Sequence, residues 1–218
     1  MTDVPVSLRR IAAIADLHGF LPEIEPCDLL LVAGDVCPVS NHRLEYQRWW
    51  LEGPFAEWLE RTEAGAIVGI GGNHDFIAQK DPGLMRRLPW TYLCDETTEA
   101  AGLTIHGSPW TPTFMDWAFM EDDDQLAARW ARIPEETDVL VTHGPPFGHG
   151  DLVIDGHHGG SETLLARLEE LPQLRLHVFG HIHEAGGSRT QIGGAKLANV
   201  SYVDFDYRPA RPASVFDL

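Results

Sequence analysis

The sequence predicts one α/β domain, residues 1–218, in which two β-sheets pack on each other with helices outside. Three observations lead there. Short apolar runs rich in Val, Ile and Leu alternate with stretches of helical spacing along most of the chain. From Ser188 onward the pattern changes to short strands joined by Gly or Pro turns, expected to pair antiparallel beside the α/β core. A chain of 218 residues, 44% of them apolar, is also long enough to bury a sizeable core without disulfides or a second domain.

The elements follow in order. Ile11–Ala15 reads as a buried strand running into Asp16-Leu17-His18, and Leu29–Ala33 as a second running into Gly34-Asp35. Asn41–Leu51 and Phe55–Arg61 have helical spacing and are expected as two helices split by Gly53-Pro54, with Pro54 opening the second. Phe55, Trp58 and Leu59 share one face of it. Ala66–Ile70 is the third strand, followed by Gly72-Asn73-His74-Asp75; Tyr92–Cys94 and Leu103–His106 are shorter strands. Asp122–Ala131 is a helix whose acidic start, Asp122–Asp124, suits the positive end of the helix dipole and is a solvated face, not a metal site. Val139–Thr142 is a strand ending at His143, and Gly144–Gly160, with six glycines and two prolines, is a long loop. Ser161–Leu171 is a helix with Leu164, Leu168 and Leu171 on one side. Leu176–Phe179 is a strand running into Gly180-His181-Ile182-His183. Ser188–Ile192, Lys196–Val200 and Ala213–Leu218 are the late strands. Trp49, Trp50, Trp58 and Trp130 fall in helical patterns and are expected to pack in the core.

Composition excludes some functions. Asp and Glu total 33 against 16 Lys and Arg, a formal charge of −17. That balance opposes long nucleic acids and anionic membranes, both of which need clustered cations. The longest apolar runs, Asp28–Gly34 and Ala64–Gly72, are well short of a spanning helix. The apolar run after Arg9-Arg10 is too short for a signal-peptide core. Three cysteines, Cys27, Cys37 and Cys94, form no CxxC pair and no disulfide framework. The expectation is a soluble cytoplasmic protein.

Five core strands each deliver Asp, Asn or His at their carboxyl ends, the edge at which open α/β sheets bind ligands. Asp16, His18, Asp35, Asn73, His143, His181 and His183 mix imidazole and carboxylate donors without thiolate. That set suits Mn, Fe, Zn, Ni or Co better than Ca or Mg. Seven donors exceed one tetrahedral ion and match two ions sharing a carboxylate. In a strand, Asp16 and His18 share a face, as do His181 and His183. The alternative for each residue singly is a capped strand end.

Asp16-x-His18, Gly34-Asp35, Gly72-Asn73-His74-Asp75, His143 and Gly180-His181-Ile182-His183 together resemble the motif set of the calcineurin-like metallophosphoesterases, over about Ile11 to His183. Gly107-Ser108-Pro109-Trp110-x-Pro112, Thr142-His143-Gly144-Pro145-Pro146 and His177 to Glu184 are similar to the MPPED branch, related to class III cyclic-nucleotide phosphodiesterases. The resemblance implies a four-layer αββα sandwich with a dinuclear site of two divalent transition-metal ions, Mn2+, Fe2+/Fe3+, Zn2+, Ni2+ or Co2+. It implies Asp16, His18 and His183 on the first metal, Asn73, His143 and His181 on the second, Asp35 bridging, and His74 as the catalytic histidine. Asp75 either orients a histidine or starts the next helix. The loop bearing Asp155-Gly156-His157-His158 matches no pattern of the family, so the substrate stays open.

The leading expectation is a metal-dependent phosphodiesterase acting on small diesters, cyclic nucleotides among the candidates, by in-line attack of a hydroxide shared between two cations. The alternatives are a phosphomonoesterase acting on nucleotides or phosphoproteins, or a catalytically silent metal-binding scaffold of the same fold. A nuclease acting on long polymers meets the −17 charge. Two divalent cations against two carboxylates leave local positive charge, and the distant acidic surface is screened beyond ~8 Å; a small phosphate ester is therefore compatible with the composition. His42, His106 and His177 carry no spacing signal and read as ordinary surface or strand residues. His149, His157 and His158 read as solvated loop. Trp110 and Phe114 read as a packed hairpin corner, with base stacking as the alternative.

Overall fold

The protein is described by a computed structural model covering residues 8–218. The first half contains β1 (Arg10–Ile14), β2 (Leu29–Ala33), α1 (Leu44–Trp50), α2 (Ala56–Arg61), β3 (Ile67–Ile70), α3 (Phe76–Lys80), α4 (Pro82–Met85), β4 (Thr91–Tyr92), β5 (Glu96–Ala100) and β6 (Leu103–Ser108). The second contains β7 (Thr111–Pro112), β8 (Met120–Glu121), α5 (Asp123–Trp130), β9 (Val139–Thr142), α6 (Glu162–Glu169), β10 (Leu176–Phe179), β11 (Arg189–Ile192), β12 (Ala195–Asn199) and β13 (Ser214–Asp217). They form one sheet of order β13-β1-β2-β3-β4, another of order β11-β12-β10-β9-β6-β5, and the small pair β7-β8.

The layering follows from strands that are apolar on both faces. Along β1 and β2, Ala12, Ile14, Leu30 and Val32 join the core under the α1 and α2 helices. The alternate residues Ile11, Ala13, Leu29 and Leu31 join a second core with Val139, Val141, Leu176 and Val178 of the other sheet. On that sheet's far side, Leu140, Phe179 and Leu197 pack with Leu126 and Trp130 of α5 and Leu164 and Leu168 of α6. Period-two alternation thus builds three cores between four layers, α-β-β-α.

The helical expectations at Asp122–Ala131 and Ser161–Leu171 are met, with a capping box between Asp122 and Gln125 and the Ser161 hydroxyl accepting from Leu164 N–H. Others need correction. Gly53-Pro54 does not split two helices: the chain runs from α1 into α2 through a π turn, Leu51–Phe55. The wider turn accommodates a proline that lacks an N–H. Buried Phe55, stacked between Trp50 at 5.3 Å and Trp58 at 5.6 Å, holds it in place. Trp50, Trp58 and Trp130 are buried, but Trp49 is 60% exposed and touches Tyr46 on the outer face of α1. The added strands are only partly antiparallel. β13 runs against β1, β11 against β12 and β5 against β6, whereas β4, β6 and β12 pair parallel with β3, β9 and β10.

His106 and His177 are both buried strand residues, facing Thr97 Oγ1 at 2.9 Å and Thr142 Oγ1 at 2.8 Å. Cys27, Cys37 and Cys94 are free thiols. Among the described residues no helix is long and apolar enough to cross a membrane.

Candidate metal centre

Parallel order within each sheet brings the carboxyl ends of β1, β2, β3, β9 and β10 to one edge of the sandwich. Asp16, His18, Asp35, Asn73, His143, His181 and His183 all follow those ends, so the fold gathers the predicted donors from both sheets. The backbone turns sharply as it leaves the strands. Asp16, His18, Asp35 and His181 take φ of 54°, 45°, 53° and 70°. This left-handed region costs most residues about 1–2 kcal/mol, and Asp and His enter it more readily than β-branched or bulky residues. The turns are locked to each other by Asp16 N–H to Gly34 O at 3.0 Å, His18 N–H to Asp35 O at 2.9 Å, and Gly180 N–H to His143 O at 2.9 Å. Gly72 and Gly180 are glycine for want of space, since a Cβ there would strike the Asp35 and Asp16 carboxylates respectively.

Asp16, His18 and His183 form one cluster, and Asp16, Asp35 and His143 a second, with the donor atoms of each within 4.8 Å of one another. His18 Nε2 lies 3.2 Å from His183 Nε2, and His183 Nε2 3.6 Å from Asp16 Oδ1. Asp35 Oδ2 lies 3.7 Å from His18 Nε2 and 3.4 Å from His143 Nε2, so it faces both clusters. Asp16 is the member common to the two, while Asp35 is the carboxylate placed between their histidines. Asn73 Oδ1 is 2.8 Å from His143 Nε2, and its Nδ2 is buried without a partner. His181 enters neither cluster; its ring packs 5.1 Å from that of His143 and lines the cleft.

These groups fit divalent cations. Donors held on one ion at ~2.0–2.2 Å stand roughly 3–3.5 Å apart, and the spacings here, 3.2, 3.4, 3.6 and 3.7 Å, lie in or just above that range. Three of those contacts, at 3.4–3.7 Å, are too long or too poorly matched to be good hydrogen bonds. The charges agree. Burial would raise both carboxylates, but His183 and His143 hold Asp16 below the usual range, and His143 with His74 holds Asp35 well below it. Burial pulls His143 down, but Asp35 and Asp16 outweigh it and lift it to about 9. Burial likewise opposes charge on His183, and Asp16 overcomes it. His18 and His181 are pushed down to about 3 by burial and stay neutral. Two anionic carboxylates hold positive charge on His143 and His183 in the metal-free protein, charge that a bound cation would replace, while His18 and His181 are already neutral.

His74 stands beside the clusters and lines the same cleft as Asp35, Asn73, His181 and His183. Its backbone N–H donates to Asp35 Oδ1 at 2.7 Å, and buried Gln47 of α1 donates to its carbonyl at 2.6 Å. Asp75 starts the next helix, as the second of the two expectations had it. It stands at the N-cap of α3 with its carbonyl accepting from Ala78 N–H at 2.9 Å, but its side chain does not cap that helix. Its carboxylate accepts from the N–H groups of Cys37 at 2.8 Å, Gly72 at 2.9 Å and Val36 at 3.2 Å, stitching the β2 loop to the β3 loop without touching an imidazole. Burial, then Asp35, raise it to about 6 against those bonds. The side chain within hydrogen-bond distance of the His74 ring is His42, whose Nε2 is 3.0 Å from His74 Nδ1. His42 therefore belongs with the site rather than with ordinary surface residues.

Other contributors carry no motif. Ser201 Oγ donates to Asp16 Oδ2 at 2.5 Å, and Asn199 Nδ2 donates to Ile182 O at 2.8 Å and Gly150 O at 2.9 Å. Both follow or end β12, a sixth polar strand end whose pairing with β10 was the missing signal. Trp117 lies 4.2 Å from the His74 ring, and Tyr207 4.9 Å from His18 and 5.0 Å from His183. With Phe114 and Phe205 they collar a cleft of about 200 Å³. Trp110 is a packing residue, set on Phe119 at 5.4 Å with Arg129 over its ring. Phe114 is 54% exposed at the cleft, so the pair expected as one hairpin corner divides between core and site.

The model of the calcineurin-like phosphoesterases matches residues 9–185. Metallophosphoesterase domain-containing protein 1 of Homo sapiens is 30% identical over 243 aligned positions, covering 98% of this chain and 72% of that protein. UPF0046 protein T07D4.2 of Caenorhabditis elegans is 29% identical over 96% of this chain, which spans 60% of the worm protein's length. Among solved structures, a dimetal phosphatase from Danio rerio superposes with a TM-score of 0.55 at 12% identity, covering 88% of both chains, a likeness of fold.

Proposed function

The chain belongs to the calcineurin-like phosphoesterase family, and on that premise we propose that it hydrolyses small phosphodiesters, cyclic nucleotides among the candidates, at a two-metal centre. The observation that carries the choice of diester is the cleft wall. No Lys or Arg is among the residues that line it. A monoester near neutral pH brings a second negative charge, which such sites commonly meet with a bidentate Arg or a Lys. A diester brings one charge and two organic arms, and this wall offers aromatic surface in place of a cation.

Asp16, His18 and His183 would hold one ion, and Asn73, His143 and His181 the other, with Asp35 between them. When bound, such a pair neutralises phosphoryl oxygens and activates water. The chain's own residues supply the rest. Asp16 and Asp35, ionised behind their histidines, keep the donor set anionic. Ser201 fixes one carboxylate and the His74 backbone the other. We place the His74 proton on Nε2, toward the ester, with Nδ1 accepting from His42 Nε2 across their 3.0 Å contact. As the P–O bond breaks, its electron pair passes to the departing oxygen and that N–H supplies the proton. Burial holds His74 below the ordinary imidazole range, so at pH 7 the ring is neutral and the donation is a relay. As Nε2–H passes to the departing oxygen, Nδ1 takes a proton from His42 Nε2 and His42 is resupplied from solvent, so that neither ring becomes anionic. A positioned acid of this kind contributes ~10²–10⁴ in rate.

The test is to strip the protein with chelator, restore Mn, Fe, Zn or Ni singly, and compare bis-p-nitrophenyl phosphate with p-nitrophenyl phosphate. Diester turnover above monoester turnover is expected. The reverse order would make the protein a phosphomonoesterase. No turnover with any metal would leave a metal-binding scaffold.

A further inference from the structure

Beside the cleft lies a larger hollow of about 580 Å³. The two share Phe114, Val153, His181 and Ile182 as walls. An ester with phosphorus at the donor clusters therefore has a path for one of its arms past His181 and Ile182. The volumes divide the work: the cleft, at about 200 Å³, suits a phosphate group, and the hollow falls in the ~300–1,000 Å³ range of pockets that enclose small organic molecules.

The lining is specific in chemistry. Its apolar members are Pro112, Phe114, Phe147, Val153, Ile154 and Ile182, and Ile154 is 70% exposed, an apolar surface left open to water at the mouth. Its charged members are Asp123, Asp155 and Glu162, with no Lys or Arg. The two histidines in the wall already have anionic partners. His158 Nδ1 lies 2.8 Å from Asp151 Oδ1, and His157 pairs with Asp155. The shape is built rather than left to the glycines. Asp151, 1% exposed, also accepts from Gly148 N–H at 2.9 Å and Gly160 N–H at 3.1 Å, drawing the ends of the loop together.

We infer that this hollow is the subsite for the organic arm of the ester, taking an apolar, flat or branched arm that is neutral or singly cationic and refusing an arm with a second phosphate or a carboxylate. The inference deepens the diesterase reading and rests on it for the position of phosphorus. Burying apolar arm surface against these side chains favours binding. A second anion there would face carboxylates with no cation to answer it.

Methylphosphinates, whose arm is joined to phosphorus through carbon, test this without turnover, each carrying one negative charge and one arm. Isothermal titration of the Mn-loaded protein would compare methyl, phenyl, 4-(aminomethyl)phenyl and 4-carboxyphenyl arms. Phenyl is expected to bind about tenfold tighter than methyl, aminomethylphenyl at least as tightly as phenyl, and carboxyphenyl about tenfold more weakly than phenyl. Ile154→Ser should reduce the phenyl preference and Glu162→Lys should restore carboxyphenyl binding, both leaving dimethylphosphinate binding unchanged. Equal affinity for methyl and phenyl, carboxyphenyl as tight as phenyl, variants that move all arms alike, or no binding by any arm would each overturn the subsite. If the arm preferences hold while bis-p-nitrophenyl phosphate is not hydrolysed, the diesterase reading falls and the subsite stands.

Discussion

The floor of the site and its rim are built in opposite ways. The floor is strand ends: Asp16, Asp35, Asn73 and His143 are at most 1% exposed, and their backbones are tied by hydrogen bonds between neighbouring loops. The rim is loops: Phe114, Ile154 and Phe205 are 54%, 70% and 53% exposed and come from three separate segments. The floor is polar and buried, an arrangement costly unless something binds there. The rim is apolar and open, which costs less while empty and gains on contact. On the proposed function, one region would carry the chemistry and the other would choose what reaches it.

The sharpest way to break this comparison is at the floor. Asp35→Asn, which removes the carboxylate between the clusters, is expected to reduce turnover to background with loss of bound metal, read by elemental analysis beside the assay. Rim behaviour from this variant, an unchanged kcat with a raised KM, would erase the distinction. The metal-free floor should also betray its protons. His143 is held up to about 9, so at pH 7 it is charged, and metal uptake must expel that proton. Calorimetry in buffers of different ionisation enthalpy should show proton release at pH 7, fading above pH about 9. The same shift stabilises the metal-free fold fully below the ordinary imidazole range, near pH 6.5, and is lost as pH rises through about 9.

His74→Ala sits between floor and rim and should lower kcat by ~10²–10⁴ with metal content nearly intact. Loss of half the metal would move His74 into the ligand set. At the rim, Phe205→Ser should raise KM a few-fold while kcat and metal content hold, measured on the diester. A fall in kcat alone would show that the rim shares in the chemistry.

The smallest effect lies beneath both regions. Burial keeps His177 neutral, with its pKa pushed down to about 3. The folded state therefore binds this proton more weakly than the unfolded chain. The stability so gained is present above pH 6.5 and is lost as pH falls toward about 3. His177→Leu removes that titration, and Thr142 Oγ1 keeps its bond to Gly144 O at 2.7 Å. Urea midpoints between pH 6.5 and 3 should then fall less steeply than in the parent.

The same contrast explains what could be read in advance. The three cores follow from strand alternation, and the donors at Asp16, His18, Asp35, Asn73, His143, His181 and His183 stand at strand ends, where periodicity and residue type point the same way. β5 was hidden because Glu96-Thr-Thr-Glu-Ala100 is a polar edge strand without an apolar run. His42, Trp117 and Tyr207 were hidden because loop residues have no period, and their partners lie 32 or more residues away in sequence or on another loop. Asp75 shows a subtler limit. Its position beside His74 suggested support for the imidazole, while the bend after Asn73 turns its carboxylate to the amides of Val36 and Cys37 instead.

The bare cleft wall has a kinetic meaning as well. On the proposed diesterase reading, hydrolysis leaves a monoester with one more negative charge, and a wall with no Lys or Arg adds no cation to hold it. Around it the chain carries a net −17, which pushes anions outward within the screening length. On that reading the wall adds nothing to the hold the floor has on the product, so an added Lys at the wall, Phe205→Lys, should strengthen inhibition by phosphate relative to the parent.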